Sequence, residues 1–199
     1  MTPPLVRGVG RLAWRLEIRS AAPPPPPPFV VAANHYSFLD AFVVAASLPS
    51  RIRFLALQDL YGNHGWVDFA LNAYGAIPVS RNTVPLRPVR SALQHLDDGG
   101  VVGLFPEGTR HWAFDPRNAR PGAAWLATRA GVPLVPIAIS GTDGVLGVDN
   151  KLRRGSIHVE VGASLRPEGS DRNAVSDLTA RWGEWVEHRL LARGSSPMA

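Results

Sequence analysis

Phe29-Val30-Val31-Ala32-Ala33-Asn34-His35-Tyr36-Ser37-Phe38-Leu39-Asp40 is the stretch on which the fold and the chemistry of this chain turn. Its first five residues form an unbroken apolar run behind the Pro23 to Pro28 tract. That is the length of a strand, and a run without alternation is what a strand covered on both faces of a parallel sheet needs. The run stops at Asn34 and His35. Ser37 is a natural helix N-cap with Asp40 three residues on, so the stretch reads as strand, turn and capped helix. On one continuous helix, residues five apart would point about 140° away from each other, but a turn ahead of the cap lets the His35 imidazole fold back toward the Asp40 carboxylate. A histidine oriented in this way by an acid is a general base. The same residues also make a plain capping box, and this segment alone does not choose between the two.

Working outward, short apolar runs recur at 52–56, 76–79, 101–105, 134–139 and 157–161, and segments of helical length fall at 38–48, 60–74, 86–97 and 121–130. This alternation predicts the α/β class: a single domain whose mostly parallel mixed sheet is flanked by helices, with the last two strands pairing locally. A closing helix over about 172–192 places Val175, Leu178, Trp182, Trp185 and Leu190 near one face, which fits core packing. The expected organisation is an N-terminal basic segment and polyproline connector at 1–28, one domain at 29–193 and a tail at 194–199. Within 1–28, Arg7, Arg11, Arg15 and Arg19 recur every four residues beside Leu5, Val9, Leu12 and Leu16. That pattern suits a helix on an anionic membrane or one packed on the core, and residues 16–18 also read as a strand.

Three more strand ends carry polar groups where ligands collect in such sheets. In Phe105-Pro106-Glu107-Gly108-Thr109-Arg110, Glu107 suits substrate hydroxyls, Arg110 suits a phosphate, and Gly108 admits close backbone approach. Arg81, after Gly75-Ala76-Ile77-Pro78-Val79-Ser80, would project from the same edge as a second phosphate contact. The stretch 131–141 holds no acid or base. Its Pro133 and Pro136 predict an edge strand or a widened wall of the site.

Composition narrows the function. The chain has no cysteine, hence no disulfide, no thiolate and no Cys-ligated metal, which fits a reducing compartment. Neither a G-x-S-x-G elbow nor a catalytic cysteine is present to form an acyl-enzyme, so the hydroxyl that His35 activates belongs to a substrate. With no His-x-x-x-His pair or tight carboxylate cluster, no metal is expected. A net charge of +5 and a pI near 10.6, carried by arginine except for Lys151, favour an anionic partner. Nucleic acid is not expected, because the tryptophans fall on apolar helix faces rather than beside basic grooves. No stretch approaches the roughly 18 apolar residues of a membrane span, and residues 1–20 lack a signal-peptide core. A soluble or peripheral protein is what remains.

Taken together and in order, Asn34-His35 with Asp40, residues 75–81, residues 105–110 and residues 132–136 resemble the glycerolipid acyltransferase family that includes bacterial 1-acylglycerol-3-phosphate acyltransferase. The likeness covers roughly residues 29–165. It implies that an acceptor hydroxyl attacks an acyl-CoA or acyl-carrier-protein thioester directly, with no bound cofactor. His35 would be the base and Asp40 its orienter, while Arg81, Glu107, Gly108, Thr109 and Arg110 would bind a phosphorylated lysophospholipid, in the first place 1-acyl-glycerol-3-phosphate. Ser80 stands where an acidic residue is frequent in that family, His111 where serine is usual, and Arg120 in place of a common lysine. These departures leave another lysolipid or a lipid-linked acceptor as the alternative, with a non-catalytic lipid-binding module as the contrasting class.

Overall fold

In a computed structural model that describes residues 14–57, 76–79, 86–147 and 151–194, seven strands form one sheet in the order β1-β7-β6-β2-β5-β3-β4. The strands are β1 (Glu17–Ser20), β2 (Phe29–Ala33), β3 (Ile52–Leu57), β4 (Ile77–Val79), β5 (Val101–Leu104), β6 (Leu134–Ser140) and β7 (His158–Val161). Among the described residues five α-helices accompany them, α1 (Asp40–Ser47), α2 (Leu86–Asp97), α3 (Gly122–Ala130), the single turn α4 (Thr142–Val145) and α5 (Arg172–Ala192), with a 3-10 turn at Pro116–Asn118. Every strand pairing is parallel except β6 with β7. The predicted α/β class with a mostly parallel mixed sheet is what the chain adopts, and the expected helix spans 86–97 and 172–192 coincide with α2 and α5. The predicted helix at 60–74 lies outside the described residues, as does residues 1–13 of the basic stripe. The remainder of that stripe contains β1, paired in parallel with β7 at the sheet's edge.

Strand β2 occupies the middle of the sheet, which explains its unbroken apolar sequence. All five of its residues are buried. Phe29, Val31 and Ala33 join the core on the α1 side, whereas Val30 and Ala32 join the core beneath α2, α3 and α5. From the second side Trp182 of α5 also donates its indole N–H to the Ala32 carbonyl at 2.9 Å. β2 leads through α1 to β3 on one face, and its neighbour β5 leads through α3 to β6 on the other. The chain therefore leaves the carboxyl ends of these two adjacent strands toward opposite faces and opens a crevice between them.

Pro133, just before β6, and Pro136 within it do not mark an edge. β6 lies between β7 and β2 and is buried throughout. Pro136 is accommodated because β7 leaves the ladder beside it. Ile137 pairs with Val161 and Leu134 with Leu165, so two residues of β6 face three of the partner, and Gly162 N–H donates to the Pro136 carbonyl at 2.9 Å. A residue without an N–H costs no ladder bond at such a bulge.

Candidate active site

The turn after β2 is built by Asp40 and Asn34. Asp40 is fully buried, and its Oδ2 accepts from Tyr36 N–H at 2.6 Å, from Ser37 N–H at 2.7 Å and from the His35 ring, whose Nδ1 lies 2.8 Å away. The fold-back of His35 onto a first-turn carboxylate is thus present. The cap differs from expectation: α1 begins at Asp40, not beside Ser37, since the Ser37 hydroxyl donates to the Leu146 carbonyl at 2.7 Å and meets only Leu39 N–H, at 3.2 Å, on its own helix. Asn34 continues β2 with its side chain. Its amide donates to the Ile139 carbonyl at 2.9 Å and accepts Ile139 N–H at 2.8 Å, so it serves as a rung of the sheet.

Glu107, at the end of β5, reaches across the crevice and accepts the backbone N–H of His35 at 2.6 Å. It is buried with Oε1 unpartnered, and burial, with the Asp40 carboxylate adding to it, pushes its carboxyl up to about 8 against the opposing pull of the His35 N–H. At neutral pH Glu107 is therefore largely a neutral acid with an O–H to donate. Gly108 takes a left-handed φ of +71°, and a β-carbon there would stand 3.2 Å from the Arg120 guanidinium, so the turn into Thr109 favours glycine. Arg110 lays its guanidinium 3.8 Å from the centre of the Phe38 ring, with Nη1 buried and unpartnered, and burial lowers its pKa. Thr109 is exposed. Arg81 lies outside the described residues.

Aromatic side chains form the part of the site that the sequence reading missed. Phe105 stacks on the His35 imidazole with centroids 4.1 Å apart and planes 16° from parallel, and Phe54 of β3 lies against Phe105 at 5.7 Å. Burial, reinforced by the charges of Glu107, Asp143 and Asp40, raises the pKa of the Tyr36 hydroxyl and keeps it protonated. The signal for Phe105 was its place between the strand and Glu107, but the partner that gives it a role is seventy residues distant in sequence. Three buried polar atoms without partners, Asp40 Oδ1, Glu107 Oε1 and Arg110 Nη1, converge on this crevice from β2 and β5. Buried polar atoms left unpaired by the chain call for a partner from outside it, a water or a ligand. Among the described residues no group of three His, Asp or Glu is placed to hold a metal.

This geometry coincides with a family model described as Acyltransferase, which matches residues 15–140. The chain belongs to the acyltransferase family. Similar proteins include the 1-acyl-sn-glycerol-3-phosphate acyltransferase of Bacillus subtilis, 31% identical over 113 residues that make up 56% of this chain and 55% of the relative. The enzyme of that name from Chlamydomonas reinhardtii is 32% identical over 75% of this chain and 46% of its own length. That of Pseudomonas aeruginosa is 28% identical over 88% of this chain and 69% of its own. The chain spans about half the length of the first two. The crystal structure of the 1-acyl-sn-glycerophosphate acyltransferase PlsC from Thermotoga maritima shares the fold, with a TM-score of 0.64 at 23% identity over 92% of this chain and 79% of that one.

Proposed function

We propose that the chain transfers a fatty acyl group from acyl-CoA or an acyl-carrier protein to the free hydroxyl of a lysophospholipid, 1-acyl-glycerol-3-phosphate in the first place, giving phosphatidic acid. The observation that carries this reading is His35 Nδ1 at 2.8 Å from the buried Asp40. Engaging Nδ1 with a carboxylate leaves Nε2 as the nitrogen for the acceptor's proton, and a positioned base of this kind is worth roughly 10²–10⁴-fold. The acceptor oxygen gives its proton to Nε2 as it attacks the thioester carbonyl carbon. The tetrahedral oxyanion then collapses, the C–S bond breaks, and the thiolate leaves with the proton that His35 returns.

Arg110 Nη1 and the protonated Glu107 Oε1 supply a cationic and a neutral donor for the acceptor's phosphate and hydroxyls, with Gly108, Thr109 and Arg81 as the other binding residues. The names of the relatives support a glycerophosphate acceptor. We take residues 29–193, completed at the sheet's edge by β1, as the catalytic domain, acting peripherally at the cytoplasmic membrane face. No helix among the described residues is long and apolar enough to cross a membrane. The test is an acceptor screen with labelled acyl-CoA and acyl-carrier protein, scored by lipid mass spectrometry. Product from lysophosphatidate is the expected result. Product only from another lysolipid would change the acceptor, and lipid binding without turnover across the panel would replace the reading with a binding module.

A further inference from the structure

Among the described residues, the exposed large apolar side chains all gather at one edge of the sheet. They are Leu86, Trp112, Trp125, Leu152 and Leu191. Trp112, 77% exposed, follows His111, whose N–H donates to the His35 carbonyl at 3.0 Å. Leu152, 63% exposed, bridges Leu146, the residue whose carbonyl accepts the Ser37 hydroxyl. Trp125 lies in the first turn of α3, which departs from the carboxyl end of β5, and Leu86 opens α2, which descends from that edge to the start of β5. Leu191 is near the end of α5, where Arg193 reaches Glu17 opposite His158 at the start of β7. The same edge exposes Arg120, Lys151, Arg153 and Arg154 beside the exposed acid Asp143, while Asp115 is already held by Arg117 and Glu17 by Arg19 and Arg193. The opposite edge, at 163–172, exposes Glu168 and Asp171 balanced by Arg166 and Arg172, and has no large apolar side chain exposed.

We propose that this edge, the mouth of the His35 crevice, seats on an anionic phospholipid bilayer, with Trp112 and Leu152 entering the interface and Lys151, Arg153 and Arg154 meeting lipid phosphates. Single apolar anchors separated by basic residues do not form the continuous apolar patch that a protein partner buries. An anionic bilayer takes such anchors separately: tryptophan suits its polar-apolar boundary, and each nearby Lys or Arg strengthens binding about fivefold. The proposal deepens the reading of a lipid acceptor, because it places the crevice against the surface where that acceptor resides.

The cysteine-free chain allows a direct test. Trp112→Cys, Leu152→Cys and, on the opposite edge, Ser170→Cys are each labelled in the full chain with an environment-sensitive fluorophore and mixed with vesicles. Phosphatidylglycerol-containing vesicles are expected to blue-shift the probe at 112 and 152 but not at 170, and pure phosphatidylcholine to do so weakly. Combining Arg153→Glu with Arg154→Glu should raise the lipid concentration for half-maximal signal at least tenfold. No shift at 112 and 152, an equal shift at 170, or a shift driven by an acyl-carrier protein in place of lipid would each overturn the docking face. Assaying the labelled variants on detergent-dispersed acceptor separates the two readings: turnover without a vesicle signal sinks the docking face alone, and a vesicle signal without turnover sinks the reaction alone.

Discussion

The backbone N–H of His35 donates to Oε2 of Glu107 at 2.6 Å, a bond that joins the carboxyl ends of two adjacent parallel strands across 72 positions of sequence. It fixes the main chain at His35 to the acid that opens the turn through Gly108 and Arg110. Because Glu107 is buried against Asp40, the bond also has a pH dependence. The folded carboxyl holds its proton to about 8 against the ordinary 4.5. Between these values the unfolded chain has released a proton that the folded chain keeps, so this contribution to stability is complete below about 4.5 and lost as pH rises through about 8. Urea denaturation over this range should show the decline in the parent protein, and Glu107→Gln should flatten it. An identical slope in both would show that Glu107 does not titrate there.

Replacing His35 by Ala should reduce acyl transfer by at least about 10²–10⁴-fold. The side chain is 17% exposed, and among the described residues no backbone group hydrogen-bonds to its ring, so thermal unfolding should change little. Turnover at the parent rate would refute its role as the base.

At Asp40 the two functions separate. Asp40→Ala removes the acceptor of two backbone N–H groups as well as the imidazole's partner, and should cost about 1–3 kcal/mol of stability together with activity. Asp40→Asn keeps a neutral acceptor, so calorimetry should find most of the stability restored while kcat stays low.

Asn34→Ala is predicted to act on stability. It strands the N–H and the carbonyl of Ile139 inside the sheet, at about 1–3 kcal/mol for each buried group left unpaired. Each kcal/mol corresponds to about 2–4 °C in Tm at this chain length. A Tm within a degree of the parent would mean that Asn34 is not a rung of the sheet.

Phe105→Leu keeps an apolar side chain but removes the ring on which His35 stacks, and should lower kcat with little change in KM. Phe105→Tyr should restore most of it. A change confined to KM would place Phe105 in substrate binding instead.

What the sequence by itself determined about this protein was local. The apolar run of residues 29–33, the cap-like spacing to Asp40, the spans of α2 and α5 and the class of the sheet all rest on interactions between residues near in sequence, so periodicity and turn chemistry reveal them. Only the tertiary structure decided the insertion of β5 between β2 and β3, the interior position of Pro136 beside a bulge, the rung that Asn34 makes with Ile139 and the Phe54–Phe105–His35 stack. Each depends on which strands become neighbours. That choice is made by burying both faces of one sheet at once, and no window of sequence contains both partners.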